Sequence, residues 1–235
     1  MSDEINEFYN QKHISTISQK GYYSEKIAFY KQHLKNIRES KNKLKILDIA
    51  CNDGELSEIF SNYGDVLGID INKDAVKKAR MRGINCIRTD VGDLPKKYES
   101  YFDVVIAGDI IEHVFDTDLF LENILRVLKN DGVMLLTTAN VASIGRRIML
   151  LMGKNPFLEY STRFPNVEIN VGHIRYYTVF DMKLQLSSLG FCDIKIFGDR
   201  INLTKGICIP QRVAKHLPSI SRYMHLYAKK TPKAH

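Results

Sequence analysis

The chain has 235 residues, 44% hydrophobic and 26% charged, which suits one α/β core with elaborations, and no apolar run approaches the roughly 20 residues that cross a bilayer. Its four cysteines, Cys51, Cys86, Cys192 and Cys208, lie far apart, with no CxxC and no histidines at ligand spacing, which argues against zinc and against a disulfide framework. The net charge of +7 resides in the last segment: Lys205, Arg212, Lys215, Arg222, Lys229, Lys230 and Lys233 follow residue 204 with no Asp or Glu, and everything before them sums to zero.

The opening "MSDEINEFYN" is acidic and lacks a secretory apolar stretch, so a cytoplasmic protein is expected. Residues 3 to 40 read as two polar helices, the second carrying Ile27, Tyr30, Leu34 and Ile37 at helical spacing, and together they are assigned as an N-terminal flap over residues 1–40. From there strand and helix signals alternate: "LKILDI", a helix from about Glu55, "DVLGID", "KDAVKKARMRG", "INCIRTD", "FDVVIAGD", the helix "DTDLFLENILRVLKNDG" and "VMLLTTA". The strands are continuous apolar runs, as in sheets covered on both faces, and the alternation predicts βαβ units in a parallel, doubly wound sheet over a 41–140 core.

The rhythm breaks over 141–177, where the basic amphipathic segment "SIGRRIMLLMG" and "KNPFLEYSTRFPNVEINVGHIRYY" read as a substrate lid hung after a strand's carboxyl end. Over 178–235 the pattern resumes with a helix closed by Gly190, the strand "FCDIKIFG", a helix "PQRVAKHLPSISR" up to Pro218 and a last strand "YMHLYAKK", ending in a basic tail. That tail suits a solvated face, an anionic membrane surface, a phosphorylated substrate or nucleic acid; it has little aromatic interleaving, which disfavours nucleic acid.

Ligands of such sheets sit beyond the strands' carboxyl ends. The first turn, Ala50-Cys51-Asn52-Asp53-Gly54, is not GxGxxG, and Asp53 puts a negative charge where a pyrophosphate would lie, so a dinucleotide is disfavoured; no GxxxxGK[ST] is present either. A cationic ligand suits the acids better. "ILDIACNDG" resembles the first motif, hhDhGxGxG, of class I S-adenosylmethionine-dependent methyltransferases, with Asp48 and Gly54 in place and with Ala50 and Asn52 replacing two glycines. Asn tolerates left-handed backbone, and Ala50 is expected to keep a negative φ. "VLGID", "IRTDVGDLP" and "FDVVIAGDIIEHV" resemble the next three motifs, in order, and the "IEH" form is that of the small-molecule and ubiquinone-biosynthesis (type 11/12) group.

The resemblance implies a Rossmann-like sheet of seven strands with the last antiparallel, and S-adenosylmethionine as cofactor. It implies cofactor contacts from Asp48, Ala50, Asn52, Gly54, Asp70 and Ile71 at the second strand, Asp90 and Val91 at the third, and Gly108 and Asp109 at the fourth. Each acid has a plainer role as well: Asp48 closing the turn, Asp70 capping the next helix, Asp90 a loop acid. His113 suits a general base that takes a hydroxyl proton, with Glu112 as alternate, and packing or capping is the competing role for His113. His173, Arg175 and Tyr22 are placed at the acceptor pocket, Tyr22 and Tyr23 from the flap, and no metal cluster is discernible. The absence of [DN]PP[YF] after the fourth strand favours a hydroxyl acceptor, on a small molecule, a sugar or a lipid-linked precursor. The competing readings are an RNA-binding or RNA-modifying protein on this fold and a relative without catalysis.

Overall fold

The computed structural model describes residues 20–157, 172–204, 207–209 and 211–232. The first of the two anticipated N-terminal helices, and the middle of the anticipated lid at 158–171, lie outside the described residues. Seven strands, β1 (Leu44–Ile49), β2 (Gly64–Asp70), β3 (Asn85–Arg88), β4 (Phe102–Gly108), β5 (Leu128–Ala139), β6 (Phe191–Gly198) and β9 (Tyr223–Lys230), form one sheet in the order β3-β2-β1-β4-β5-β9-β6. The pairings β1·β2, β1·β4, β2·β3 and β4·β5 are parallel, and β9 runs antiparallel to both neighbours, so the predicted seven-stranded, mostly parallel sheet is what the chain forms.

Helices cover both faces because both faces of the strands are apolar. On one side Phe29, Tyr30 and Leu34 of α1 (Lys20–Arg38) and Phe60 of α2 (Glu55–Phe60) pack on Ile46, Val104 and Leu135. On the other, Leu121 and Ile124 of α4 (Thr117–Val127) and Met182 and Leu186 of α6 (Val179–Leu189) pack on Leu47, Val105 and Met134. The shorter α3 (Lys73–Met81) is capped by Asn72, whose side chain accepts from the Asp74 and Ala75 amides, and α6 by a reciprocal box between Thr178 and Asp181, with Gly190 left-handed at φ 104° past its end. One acid is buried at the foot of the sheet: Asp103 accepts from Lys41 (2.5 Å), Lys129 (2.9 Å) and the Lys45 amide (2.9 Å), and the two lysines hold its carboxyl below its ordinary pKa against the cost of burial.

Four local expectations change. The helix read through "LKNDG" stops at Val127, because Leu128 turns extended (ψ 137°), pairs with Phe102 and is buried. The helix read from "PQRVAKHLPSISR" spans only α7 (Gln211–Ala214). A two-stranded ribbon, β7 (Ile201–Thr204) with β8 (Ile207–Ile209), was not anticipated. Part of the basic tail is an interior strand: two of its seven cations, Lys229 and Lys230, are in β9, which lies between β5 and β6; Lys230 is buried and donates to the Leu128 carbonyl (2.7 Å), and Lys229 lies 3.8 Å from Asp193. Long aliphatic stems let lysines serve on a strand while their heads find acceptors.

Candidate active site

Strand β1 lies between β2 and β4, so the connections after β1 and β4 leave toward opposite faces and open a crevice at their carboxyl ends. The turn after β1 fills it. Ala50 (φ 55°), Asn52 (φ 51°) and Gly54 (φ 82°) are all left-handed, which corrects the negative φ expected of Ala50. The turn reverses direction at alternate residues, and each of the three positions where the family motif has glycine carries that backbone. Alanine adopts it at a cost of about 1–2 kcal/mol. Below the turn Asp48 is buried, and its Oδ2 accepts from Ser57 Oγ of α2 at 2.5 Å; burial pushes its pKa up to about 7.

Asp70 closes the turn from β2. Its Oδ2 accepts the Asn52 amide (2.9 Å) and its Oδ1 the Asn72 amide (2.8 Å), while capping of α3 belongs to Asn72. Next to it the Ile71 side chain is 44% exposed, an apolar platform at the strand ends. Asp90 is exposed beyond β3, whose end is tied to β2 by Thr89 N–H donating to the Asp70 carbonyl (3.2 Å); its Oδ1 accepts the Gly92 amide (2.9 Å). The Val91 side chain, in contrast, packs in the core with Leu94 and Ile111.

At the end of β4, Gly108 lies under the Tyr30 hydroxyl, and Asp109 (φ 53°) has its carboxylate engaged on both oxygens. Lys26 Nζ donates to Oδ2 and Thr137 Oγ1 to Oδ1, each at 2.8 Å, and since the Thr137 hydrogen is thereby used, Tyr30 OH donates to Thr137 across 3.2 Å. Lys26 and Tyr30 come from α1, so that helix reaches into the crevice. So does Tyr23, half-buried, whose hydroxyl is pushed well above its ordinary pKa by burial and then by Glu55. Tyr22 is in α1, and its side chain lies outside the described residues. Lys26 carries no local signal in the sequence: it is one more cation on a polar helix.

After β4 comes a single 3₁₀ turn, Ile111–His113. Glu112 is buried there, accepts from Thr138 Oγ1 (2.9 Å) and has its pKa pushed up to about 8 by burial and then by Asp109. Its carbonyl receives the Ile174 (2.9 Å) and Arg175 (3.1 Å) amides, which brings the end of the lid back onto the motif. Gly172 O lies 3.2 Å from His113 Nδ1, and because a carbonyl only accepts, Nδ1 carries the proton and the basic lone pair is on Nε2. The His173 ring meets the His113 ring edge-on at 4.9 Å. His173 Nε2 is 3.9 Å from Glu112 Oε1, yet burial and then Arg146 hold the imidazole pKa down to about 4, so the two are neutral neighbours at pH 7.

Arg175 is spent locally: it donates to the Phe115 carbonyl (2.7 Å) over the Phe115 ring. Arg146 of α5 (Ile144–Leu151), not singled out in the sequence, has a buried Nη1 with no hydrogen-bond partner among the described residues. The ligand atoms of Glu112, His113 and His173 lie within 4.8 Å of one another, a set able to hold one cation where the spacing alone indicated none.

Turn, strand-end acids and IEH corner together present hydrogen-bond acceptors around one crevice, beside the His113 and His173 rings. The chain matches the family described as "Methyltransferase domain" over residues 40–168, more than half its length. It is 34% identical over 102 residues to the ubiquinone biosynthesis O-methyltransferase of Pelagibacter ubique, covering 41% of this chain and 42% of that one. With the mitochondrial ubiquinone biosynthesis O-methyltransferase of Homo sapiens the identity is 31% over 107 residues, 41% of this chain and 29% of that one. The chain thus matches less than half the length of these curated relatives. In fold it is similar to a methyltransferase of Thermotoga maritima described as a possible histamine N-methyltransferase (TM-score 0.64, 15% identity, 97% of each chain covered). It is also similar to the magnesium protoporphyrin IX methyltransferase of Synechocystis PCC 6803, solved with bound SAH (TM-score 0.61, 15% identity, 98% of this chain and 95% of that one).

Proposed function

The chain belongs to the methyltransferase-domain family, in the class I S-adenosylmethionine-dependent group, and from that premise we propose that it methylates a hydroxyl on a small-molecule, sugar or lipid-linked acceptor. The observation that carries the cofactor assignment is the left-handed Ala50–Asn52–Gly54 turn held by the Asp70 carboxylate at the sheet's switch point. The donor set suits the cofactor: Asp70 and Asp90 are acceptors at the ends of adjacent strands, with exposed Ile71 between them.

When bound, S-adenosylmethionine supplies an electrophilic methyl group on a sulfonium. The remaining lone pairs of Asp70 accept ribose hydroxyls, and the Asp90 carboxylate accepts an amino hydrogen of the purine. His113 takes the acceptor's hydroxyl proton on Nε2, with its Nδ1–H directed at Gly172 O to fix the ring. Glu112, protonated near neutrality, acts in this reading as the neutral wall behind His113 instead of as the alternate base. Arg146, with an unmet N–H, is the cation for an acidic group on the acceptor, a role that Arg175 cannot take while it donates to Phe115.

Among the described residues no helix is long and apolar enough to cross a membrane. At the end of α5, Leu150 (66% exposed), Leu151 (87%) and Met152 (57%) support peripheral contact with lipid that carries the acceptor. Flotation with anionic liposomes at low salt tests that contact, and recovery of all protein at the bottom of the gradient rejects it.

Titration calorimetry with S-adenosylhomocysteine tests the cofactor assignment. Saturable binding is expected, weakened about tenfold or more by Asp70→Ala, since hydrogen bonds to a charged group contribute about 1.5–3 kcal/mol. A reduced, folded protein that binds neither this ligand nor S-adenosylmethionine overturns the reading.

A further inference from the structure

Two thiols unused by the chemistry above meet underneath the cofactor turn. Cys51 is the second residue of that turn, its amide donating to the Ile69 carbonyl and its carbonyl accepting from Gly54 N–H, both at 3.0 Å. Cys86 is on β3, in register with Gly68 of β2. Their sulfurs are 3.4 Å apart across 35 residues of sequence, both side chains are buried, and Val76, Ala79 and Ile84 surround them.

Gly68 makes the meeting possible. A Cβ at that position would lie 2.8 Å from Cys51 Sγ, so any other residue there would push that sulfur aside, whereas Cys86 Sγ at 3.5 Å would stay in ordinary contact. The two thiols are also inequivalent. Either sulfur can donate in the hydrogen bond between them, and Cys51 Sγ also faces the Asn52 carbonyl at 3.8 Å; sharing that bond raises the Cys51 pKa and lowers that of Cys86, which favours Cys86 as the nucleophile.

We propose that a hydroperoxide oxidises Cys51 and Cys86 to a disulfide, and that this bond draws the 50–54 turn away from Asp70 and weakens cofactor binding. The Cys86 thiolate attacks a peroxide oxygen, and the O–O bond breaks with release of water to leave a sulfenic acid. The Cys51 sulfur then displaces that oxygen as a second water, so that two thiols and one hydrogen peroxide give one disulfide and two waters. Bonded sulfurs stand about 2.05 Å apart, so the pair must close in by more than 1 Å. Cys86 is fixed in a strand paired along β2, whereas Cys51 is flanked by Ala50 and Asn52, both already in costly left-handed backbone. The turn therefore gives way, and the 2.9 Å contact from Asn52 N–H to Asp70 is what it loses. The loss of affinity rests on the cofactor assignment above; formation of the disulfide does not.

The test treats the full-length, reduced protein with hydrogen peroxide, blocks remaining thiols with N-ethylmaleimide and maps peptides by mass spectrometry without reductant. The expected result is a linked Cys51–Cys86 peptide, two hydrogens lighter than the sum of its parts and split by dithiothreitol, with S-adenosylhomocysteine affinity about tenfold weaker until reduction. Cys86→Ala keeps its affinity after the same treatment, and Cys86→Ser, closer in volume, repeats the measurement. Both cysteines still fully alkylated after peroxide overturns the proposal, as does a linked protein that binds the nucleoside with unchanged affinity. A reduced protein that does not bind it at all rejects the cofactor reading instead. Hydrogen exchange at the 50–54 amides then decides the coupling, with faster exchange after oxidation expected and an unchanged rate overturning it.

Discussion

The Asp70 carboxylate accepts the amide hydrogen of Asn52 across 2.9 Å, so the end of β2 holds the shape of the turn that follows β1. An acid whose place along the chain suggests a ligand contact or a cap of the next helix is tied to the turn after β1, as a structural element of the site. Neighbouring strands thus share one piece of geometry, and variants of either residue act on both.

Replacing Ala50 by glycine is expected to stabilise the protein. Alanine at φ 55° bears about 1–2 kcal/mol of left-handed strain, against roughly 0.4–1 kcal/mol of extra chain entropy that glycine loses on folding. The net gain is about 0.5–1 kcal/mol, a rise of a few degrees in Tm. Thermal denaturation of Ala50→Gly and Ala50→Val checks it: the glycine variant melts higher and the valine variant lower. A glycine variant that melts below the parent contradicts the strain.

The Lys26–Asp109 pair ties α1 to the sheet, with side chains 10% and 26% exposed. Lys26→Ala leaves that carboxylate short of a partner and is expected to cost about 1–3 kcal/mol, less than for a fully buried pair because Asp109 retains some contact with water. Lys26→Met combined with Asp109→Asn is expected to recover much of the loss. Urea denaturation of the two single variants and the double variant gives the coupling, and strictly additive effects refute it.

Asp48 confers a pH dependence of known sign. Its folded pKa is near 7 against about 3.8 unfolded, so the folded state retains a proton that the unfolded state releases. Its contribution is most favourable below about pH 4, declines as pH rises to about 7 and is flat beyond, a change on the order of 4 kcal/mol at 1.36 kcal/mol per unit. Asp48→Asn, which still offers an acceptor to Ser57, removes that slope. Unfolding free energies of parent and variant from pH 5 to 9 are expected to diverge up to pH 7 and then run parallel; parallel curves throughout count against it.

His113→Ala is expected to lower kcat by about 100-fold or more with little change in cofactor affinity, the range for loss of a general base. Transfer of labelled methyl groups to extracted acceptors, together with calorimetry, separates the two effects. If kcat persists and only cofactor affinity falls, His113 has a packing role.

Much of the architecture was legible in single segments. Continuous apolar strands of five to eight residues between amphipathic helices report a sheet buried on both faces, because side-chain period and burial are local properties of the backbone. Motif order told which strand ends carry acids. The turn itself was read incorrectly at Ala50, since residue type limits φ but does not set it; the path from β1 through Gly54, whose backbone lies against Ala79 and Ile84, does.

What residue order alone determined, then, is the run of elements and the placing of Asp48, Asp70, Asp90 and the IEH corner at strand ends. Tertiary structure decided the rest: Lys26 meets Asp109, Gly172 O orients His113, Arg175 is held by Phe115 while Arg146 Nη1 has no partner among the described residues, part of the basic C-terminal segment becomes an interior strand, and two cysteines 35 residues apart touch. Each of these depends on strand register and on which helix covers which face. Those are set by the summed burial of the whole core, and no short window of sequence contains that sum.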